Sequence, residues 1–407
     1  MVNNIVQISR RDVFVFSTGL IICLGLVMLA SASLGVSESI TGEAFHFFKR
    51  QVTFLIIGLL VALFVYQMPI NYWNKYSGIL LGIAFLLLLI VLIPHVGKSV
   101  KGSMRWIPLG PVNFQPSELA KIAVIIYLAS YLLRREKEVR NDWLGLIKPI
   151  GVLSLVSLLL LAEPDFGSVV VIMVTAFSML FLCGVKLKNF ITMVSIGVLI
   201  GGVLAIAKPY RMQRLIDFRD PFDKPFGSGY QLTQSLIAFG RGEWTGMGLG
   251  NSIQKLFYLP EAHTDFLFAV LSEELGLIGN LLVIVLFTAL VISALFIGRA
   301  SALKGELFSA YVAYGFAVLI GIQAVFNLGV NMGVFPTKGL TLPFMSYGGS
   351  SLIMNCMAMG ILLRIDKETC AETVERSKRK KSSSNKNSQR VKQTKAYKSP
   401  KRIRKAA

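Results

Sequence analysis

Ten stretches of mainly apolar residues run through the chain, and no other feature limits its fold as strongly. They are Val13–Ser33, Val52–Met68, Ser77–Ile93, Glu118–Leu133, Pro149–Ala162, Ser168–Gly184, Phe190–Ala207, Phe266–Ile297, Phe308–Val330 and Tyr347–Leu363. A helix that crosses a bilayer needs ~20 such residues, because a rise of ~1.5 Å per residue must cover ~30 Å of hydrocarbon. Hydrocarbon offers backbone N–H and C=O groups no water, so each run closes its own hydrogen bonds as a helix. The runs are too long and too continuous for the alternating pattern of a membrane barrel. The fourth and fifth are short, and their ends are the least sharply marked. The expectation is an all-α polytopic integral membrane protein. It has about ten transmembrane helices and one large extracytoplasmic loop, 208–265, between the seventh and eighth.

Composition agrees. Of 407 residues, 54% are hydrophobic and 16% charged, whereas soluble domains carry about 25% charged residues. No soluble interior could hide that apolar surplus. A soluble enzyme, a secreted domain and a collagen-like or mostly disordered chain are excluded. Cys23, Cys183, Cys356 and Cys370 are scattered without paired spacing, which excludes a disulfide scaffold and a zinc-finger pattern. Arg10 and Arg11 before the first run, with Ala30-Ser31-Ala32 inside it, imitate a signal peptide. The apolar region exceeds the usual length of about 7–15 residues, and nine further spans follow, so the first helix is expected to stay uncleaved.

Basic residues in short loops set the orientation. Segments 1–12, 69–76, 134–148, 185–189 and 298–307 hold 12 Lys/Arg in 50 residues, and the opposite short loops hold 6 in 63. Both termini are therefore expected in the cytoplasm: 1–12 as a short N-terminus, 13–364 as the membrane domain, 365–407 as a tail. The tail carries 15 Lys/Arg against 4 acids and almost no large apolar residue, which reads as disordered. It serves solubility and positive-inside anchoring, or it docks a partner or anionic membrane lipids. Nothing aromatic or folded in it supports nucleic-acid binding.

Ionisable residues in or beside spans are costly and mark sites by default. Glu118 and Lys121 share one helix face and can simply pair with each other. Asp165 lies in the five-residue turn Glu163–Gly167; it suits a turn, and it is also a natural partner for Lys121. Glu273-Glu274 fall in a 32-residue run, ~48 Å of helix, so either its first turns project outward or a cavity adjoins them. Asp265 and Thr264, before that run, are both good N-caps. One residue suffices to cap, however, and His263 and Glu261 crowd the same place. Spacings for a zinc site are absent. Arg50, Lys101 and Arg105, with Lys49, Lys98, Lys208, Arg211 and Arg214, suit phosphate groups; each alone is equally a snorkelling side chain. Leu232, Leu236 and Phe239 fall on one helical face, which suggests a short helix lying on the bilayer.

Five segments together resemble the SEDS family (shape, elongation, division and sporulation). They are Lys101–Ile107 (KGSMRWI), Gln115–Lys121 (QPSELAK), Glu163–Gly167 (EPDFG), Pro260–Glu274 (PEAHTDFLFAVLSEE) and Pro336–Ser351 (PTKGLTLPFMSYGGSS). The likeness spans about residues 10 to 370. Asp220–Gly250 and Arg364-Ile365-Asp366 look like the division member rather than the elongation member. The resemblance implies a peptidoglycan glycosyltransferase of the bacterial inner membrane, at the septum, that polymerises lipid II into β-1,4 glycan and releases undecaprenyl diphosphate. It places the catalytic aspartate at Asp265, a structural ion pair at Lys121 and Asp165, and substrate-binding groups at Arg50, Lys101, Arg105 and Glu118. A divalent cation, magnesium or manganese, is an alternative to those cations for stabilising the diphosphate. A class B penicillin-binding transpeptidase and other division proteins are the implied partners. A lipid II flippase and a non-catalytic division scaffold are the rival readings.

Overall fold

The computed structural model describes residues 10–370 except 101–102, 111, 207–208, 224–226 and 228. All ten apolar runs are helices. They are α1 (Arg10–Thr41), α2 (His46–Gln67), α4 (Ser77–Val91), α5 (Pro116–Arg134), α7 (Leu144–Ala162), α8 (Phe166–Cys183), α9 (Leu187–Ile206), α12 (Leu267–Ala302) and α13 (Leu307–Asn331), followed by α14 (349–370). Shorter helices lie between them: α3 (Ile70–Lys75), α6 (Glu136–Asn141), α10 (Pro209–Arg219) and α11 (Tyr230–Gly242). The protein is a multi-pass helical membrane protein.

Burial sorts the helices. In α5 almost every side chain is covered, and α4, α8 and α13 surround it. In α9, by contrast, only 11% of the apolar stretch is buried, so its Leu, Ile and Val side chains face lipid. Exposed apolar residues such as Phe16, Leu60, Phe64 and Ile278 continue that lipid-facing surface. Glycines allow the closest approaches: a Cβ at Gly360 of α14 would lie 2.5 Å from the Ala62 carbonyl oxygen of α2.

Three elements depart from expectation. The stretch 98–114, read as a plain loop, folds into an antiparallel sheet of β1 (Lys98–Val100), β2 (Ser103–Leu109) and β3 (Val112–Phe114), in that order. The apolar face of α11 meets protein rather than the bilayer: Leu232 is buried, and the Phe239 ring sits edge-on to Phe268 of α12. Residues 365–370, counted with the tail, continue α14, and Arg10 Nε donates to Asp366 Oδ1 over 2.7 Å. The rest of the tail and residues 1–9 lie outside the described residues.

The overlong eighth span is broken. Gly276 has φ +64° and ψ −160°, a region only glycine enters without strain. The break exposes backbone groups that the turn after α11 takes up. Met247 N donates to the Glu273 carbonyl (2.9 Å), Gly248 N to that of Glu274 (3.1 Å), and Leu277 N donates to the Glu243 carbonyl (2.9 Å). Irregular backbone inside a membrane protein is tolerable only when other protein groups satisfy it. The fully buried Glu273 and Glu274 lie at this joint. Glu273 accepts from Ser252 Oγ, Ile253 N and Gln254 N and forms an ion pair with Arg241. Glu274 Oε1 accepts from Ser31 Oγ (2.6 Å) and Lys255 Nζ (2.9 Å). The two glutamates neither project outward nor line an open cavity; they hold the 250–258 segment that leads to Asp265.

Candidate active site

At one end of the bundle the start of α2, the β2 strand, the α7–α8 turn, residues 260–266 and the 335–348 loop converge. Aromatic contacts make the junction. The His263 ring stacks on Phe47 (centroids 4.8 Å apart), and Tyr347 stands edge-on to Phe47 (5.1 Å). Backbone bonds fix the register: Tyr347 N donates to the His263 carbonyl (3.0 Å), and Gln51 Nε2 donates to that of Ser346 (3.0 Å). Ser350 Oγ accepts from Gln115 N and donates to the Asn113 carbonyl, both over 3.1 Å. The Lys338 ammonium lies 4.4 Å from the centroid of Phe166.

Asp265 sits within this convergence, half-buried. The cap of α12 is Phe266, without a side-chain hydrogen bond from it. The Ala269 N–H in the first turn is taken by Asn331 Oδ1 from α13 (3.1 Å). A residue on another helix therefore shares in capping, the bland role open to Asp265 in the sequence. Its backbone carbonyl accepts from Asn327 Nδ2 (2.9 Å) and Asn331 Nδ2 (3.0 Å). Its carboxylate lies against Gly339, where a Cβ would come within 3.0 Å of Oδ2.

The expected cations divide. Arg50 lies one turn beyond Phe47, its guanidinium 5.9 Å from the Phe54 ring centroid. Arg105 Nε donates to the Glu163 carbonyl (3.2 Å) and its Nη2 to that of Pro164. At least two of its five N–H groups thus close the C-terminal end of α7. Lys101 lies outside the described residues.

The expected Lys121–Asp165 pair is not the one formed. Lys121 Nζ sits 2.8 Å from Glu118 Oε2, the neighbour three residues back on the same helix face. Asp165 instead caps α8, accepting from Ser168 N (3.2 Å) and Ser168 Oγ (2.7 Å). Next to it, Glu163 is fully buried, and neither carboxyl oxygen has a hydrogen-bond partner. Burial, then the Asp165 carboxylate, push its pKa up to about 8 against the opposing pull of Arg105. Glu163 is therefore mostly protonated at neutral pH.

Among the described residues no three His, Cys, Asp or Glu side chains gather into a metal-ligating set. A protein cage for magnesium or manganese does not fit these residues. Magnesium often binds through one or two carboxylates together with substrate phosphates.

Asn327, Asn331 and Lys255 were not singled out from sequence. The signal was present: two amides four residues apart, one inside the ninth apolar run and one just past its end, where polar side chains need a reason. Weighing only charged groups misses them.

The fold and the site together define a polytopic helical membrane protein with a carboxylate-bearing centre at one end of its bundle. The chain belongs to the FtsW/RodA/SpoVE family of cell cycle proteins, whose sequence profile matches residues 11–371. It is 52% identical over 345 residues to a probable peptidoglycan glycosyltransferase FtsW of Hahella chejuensis, covering 85% of this chain and 87% of that one. It is 53% identical over 352 residues to the Coxiella burnetii protein of the same description, covering 86% and 94%. Among solved structures, a chain of a peptidoglycan synthase complex that coordinates polymerization and crosslinking superposes with a TM-score of 0.71 at 31% identity, covering 88% and 97%. The Thermus thermophilus rod shape determining protein RodA follows with a TM-score of 0.65 at 29% identity, covering 88% and 96%.

Proposed function

We propose that the protein is a peptidoglycan glycosyltransferase of the FtsW type, with Asp265 as the general base. The observation that carries this reading is the placement of Asp265: held by its main chain, with its carboxylate against Gly339 where the family's motifs meet. The donor sugar carries a polyprenyl diphosphate at its anomeric carbon. The acceptor's 4-hydroxyl attacks that carbon with inversion, its proton passes to Asp265, and the anomeric C–O bond breaks to release undecaprenyl diphosphate. A sugar hydroxyl is a weak nucleophile, and a positioned base contributes ~10²–10⁴-fold. Charge growing on the diphosphate falls to nearby cations, for which Arg50, Lys338 and Arg105, all at this end of the bundle, are the candidates. Lys101 belongs to the same basic segment.

Topology supports the assignment. With basic loops inside, this end of the bundle faces away from the cytoplasm of the inner membrane, where the lipid-linked sugars are presented. The synthase complex among the structural relatives supports a crosslinking partner, a class B penicillin-binding transpeptidase, and the likeness to FtsW proteins favours the division septum as the place of action.

The test is lipid II polymerisation by the purified protein with and without such a partner. Asp265→Asn keeps the size of the side chain and removes the proton acceptor. It should fold normally and lose ~10²-fold or more in rate. A near wild-type rate would refute the base and favour a flippase or a scaffold.

A further inference from the structure

Asn327 and Asn331 lie one turn apart on α13, 2% and 0% exposed. Buried amides in a membrane bundle persist only where their hydrogen bonds are met. Here those bonds reach two irregular stretches of backbone that flank the Asp265 carboxylate. Asn327 Nδ2 donates to the Asp265 carbonyl (2.9 Å) and to the Leu340 carbonyl (2.6 Å). One NH2 group thereby joins the stretch carrying Asp265 to the loop carrying Gly339. Asn331 Nδ2 donates to the same Asp265 carbonyl (3.0 Å) and to the Asn327 carbonyl (2.8 Å). Its Oδ1 takes the Ala269 N–H, and its own carbonyl accepts from Ser235 Oγ of α11 (2.7 Å).

The consequence is geometric. Asp265 lies in a turn, outside the ladder of α12, so that helix does not fix its main chain. The two asparagines supply that constraint from α13, and Asn327 ties the Asp265 main chain to the Leu340 loop, whose Gly339 lets the carboxylate oxygen sit 3.0 Å from where a side chain would begin. We propose that Asn327 and Asn331 are positioning residues for the glycosyl transfer: they hold Asp265 against the Leu340 loop at the distance the reaction requires. This inference rests on the reading of Asp265 as the base.

The experiment uses full-length protein and three variants: Asn327→Ala, Asp265→Asn, and Gln323→Ala, which removes another buried amide one turn earlier on α13. Two readouts are taken: kcat and KM for lipid II polymerisation, and hydrogen–deuterium exchange over 260–268 and 338–344. Asn327→Ala should raise exchange in both segments and lower kcat ~10–100-fold, the scale expected for an ångström of misplacement, with KM within about twofold. Gln323→Ala should change neither. If Asn327→Ala does not fold, Asn327→Ser, which keeps one donor, replaces it with the same expectation at smaller amplitude.

Unchanged exchange in Asn327→Ala would overturn the clamp. Raised exchange with unchanged kcat would overturn positioning, provided Asp265→Asn is inactive. If Asp265→Asn keeps its rate, the base assignment itself fails, and the inference with it. Equal kcat losses in Asn327→Ala and Gln323→Ala would reduce the asparagines to general support of α13, which also refutes the proposal.

Discussion

Glu118→Gln should be among the most destabilising single-atom changes in the molecule. Lys121 Nζ is 2.8 Å from Glu118 Oε2, with side-chain exposures of 2% and 10%, on the most enclosed of the long apolar helices. Replacing the carboxylate by an amide leaves the ammonium buried and uncompensated, a class of change that costs ~3–5 kcal/mol. Removing both charges avoids that penalty, so Glu118→Gln combined with Lys121→Met should recover most of the loss. Asp165→Asn is the contrast. An amide oxygen can still accept from Ser168 N, so the cap survives at a cost of ~1 kcal/mol or less. SDS titration of the protein in mild detergent compares the three variants with wild type. Glu118→Gln should unfold at clearly lower SDS than Asp165→Asn, and the double variant should return toward wild type. Equal losses for Glu118→Gln and Asp165→Asn, with no recovery in the double variant, would refute the pairing and restore Asp165 as the partner of Lys121.

Other expectations follow from single features. Glu163 binds its proton more tightly folded than unfolded, its pKa rising from 4.5 to about 8. That contribution to stability is full below about pH 4.5 and is lost as pH rises through 8; Glu163→Gln should flatten unfolding curves across that window, and an unchanged pH slope would contradict it. Gly276→Ala should abolish folded protein in a size-exclusion assay, because a Cβ would lie 2.4 Å from Gly246 N at a strained φ costing ~1–3 kcal/mol by itself; a monodisperse variant would count against the joint. Truncation after Glu375 removes most of the tail's basic residues and should leave polymerisation in detergent unchanged; a collapse of the purified rate would make the tail part of the chemistry.

The bundle was readable because lipid forces each apolar run into a helix whatever its neighbours do. Features that depend on remote partners were not. Glycine at 276 looks like any helical glycine until the 243–248 turn supplies its hydrogen bonds. The α11 face looked membrane-bound because an apolar stripe does not say what covers it. Lys121 had two acids in reach, and helix spacing favoured Glu118 once Asp165 was drawn off by Ser168. The sequence did place Asp265, His263 and Glu261 in one neighbourhood, whereas the approach of the 336–351 loop appears only in the fold. What sets the Asp265 main chain, two uncharged amides from α13, carried no charge to draw attention.

The break at Gly276 has a consequence for exchange between relatives. Helix α12 and the turn after α11 share hydrogen bonds across residues 243–248 and 273–278, like the two halves of a lap joint. A graft of α12 alone would bring half of the joint and leave its mate behind. An insertion of one residue between Gly242 and Gly248 would slide every bond out of step. The smallest stretch that can move as a unit therefore runs from Tyr230 to Ala302. Chimaeras cut at those ends should fold where cuts between 243 and 278 do not.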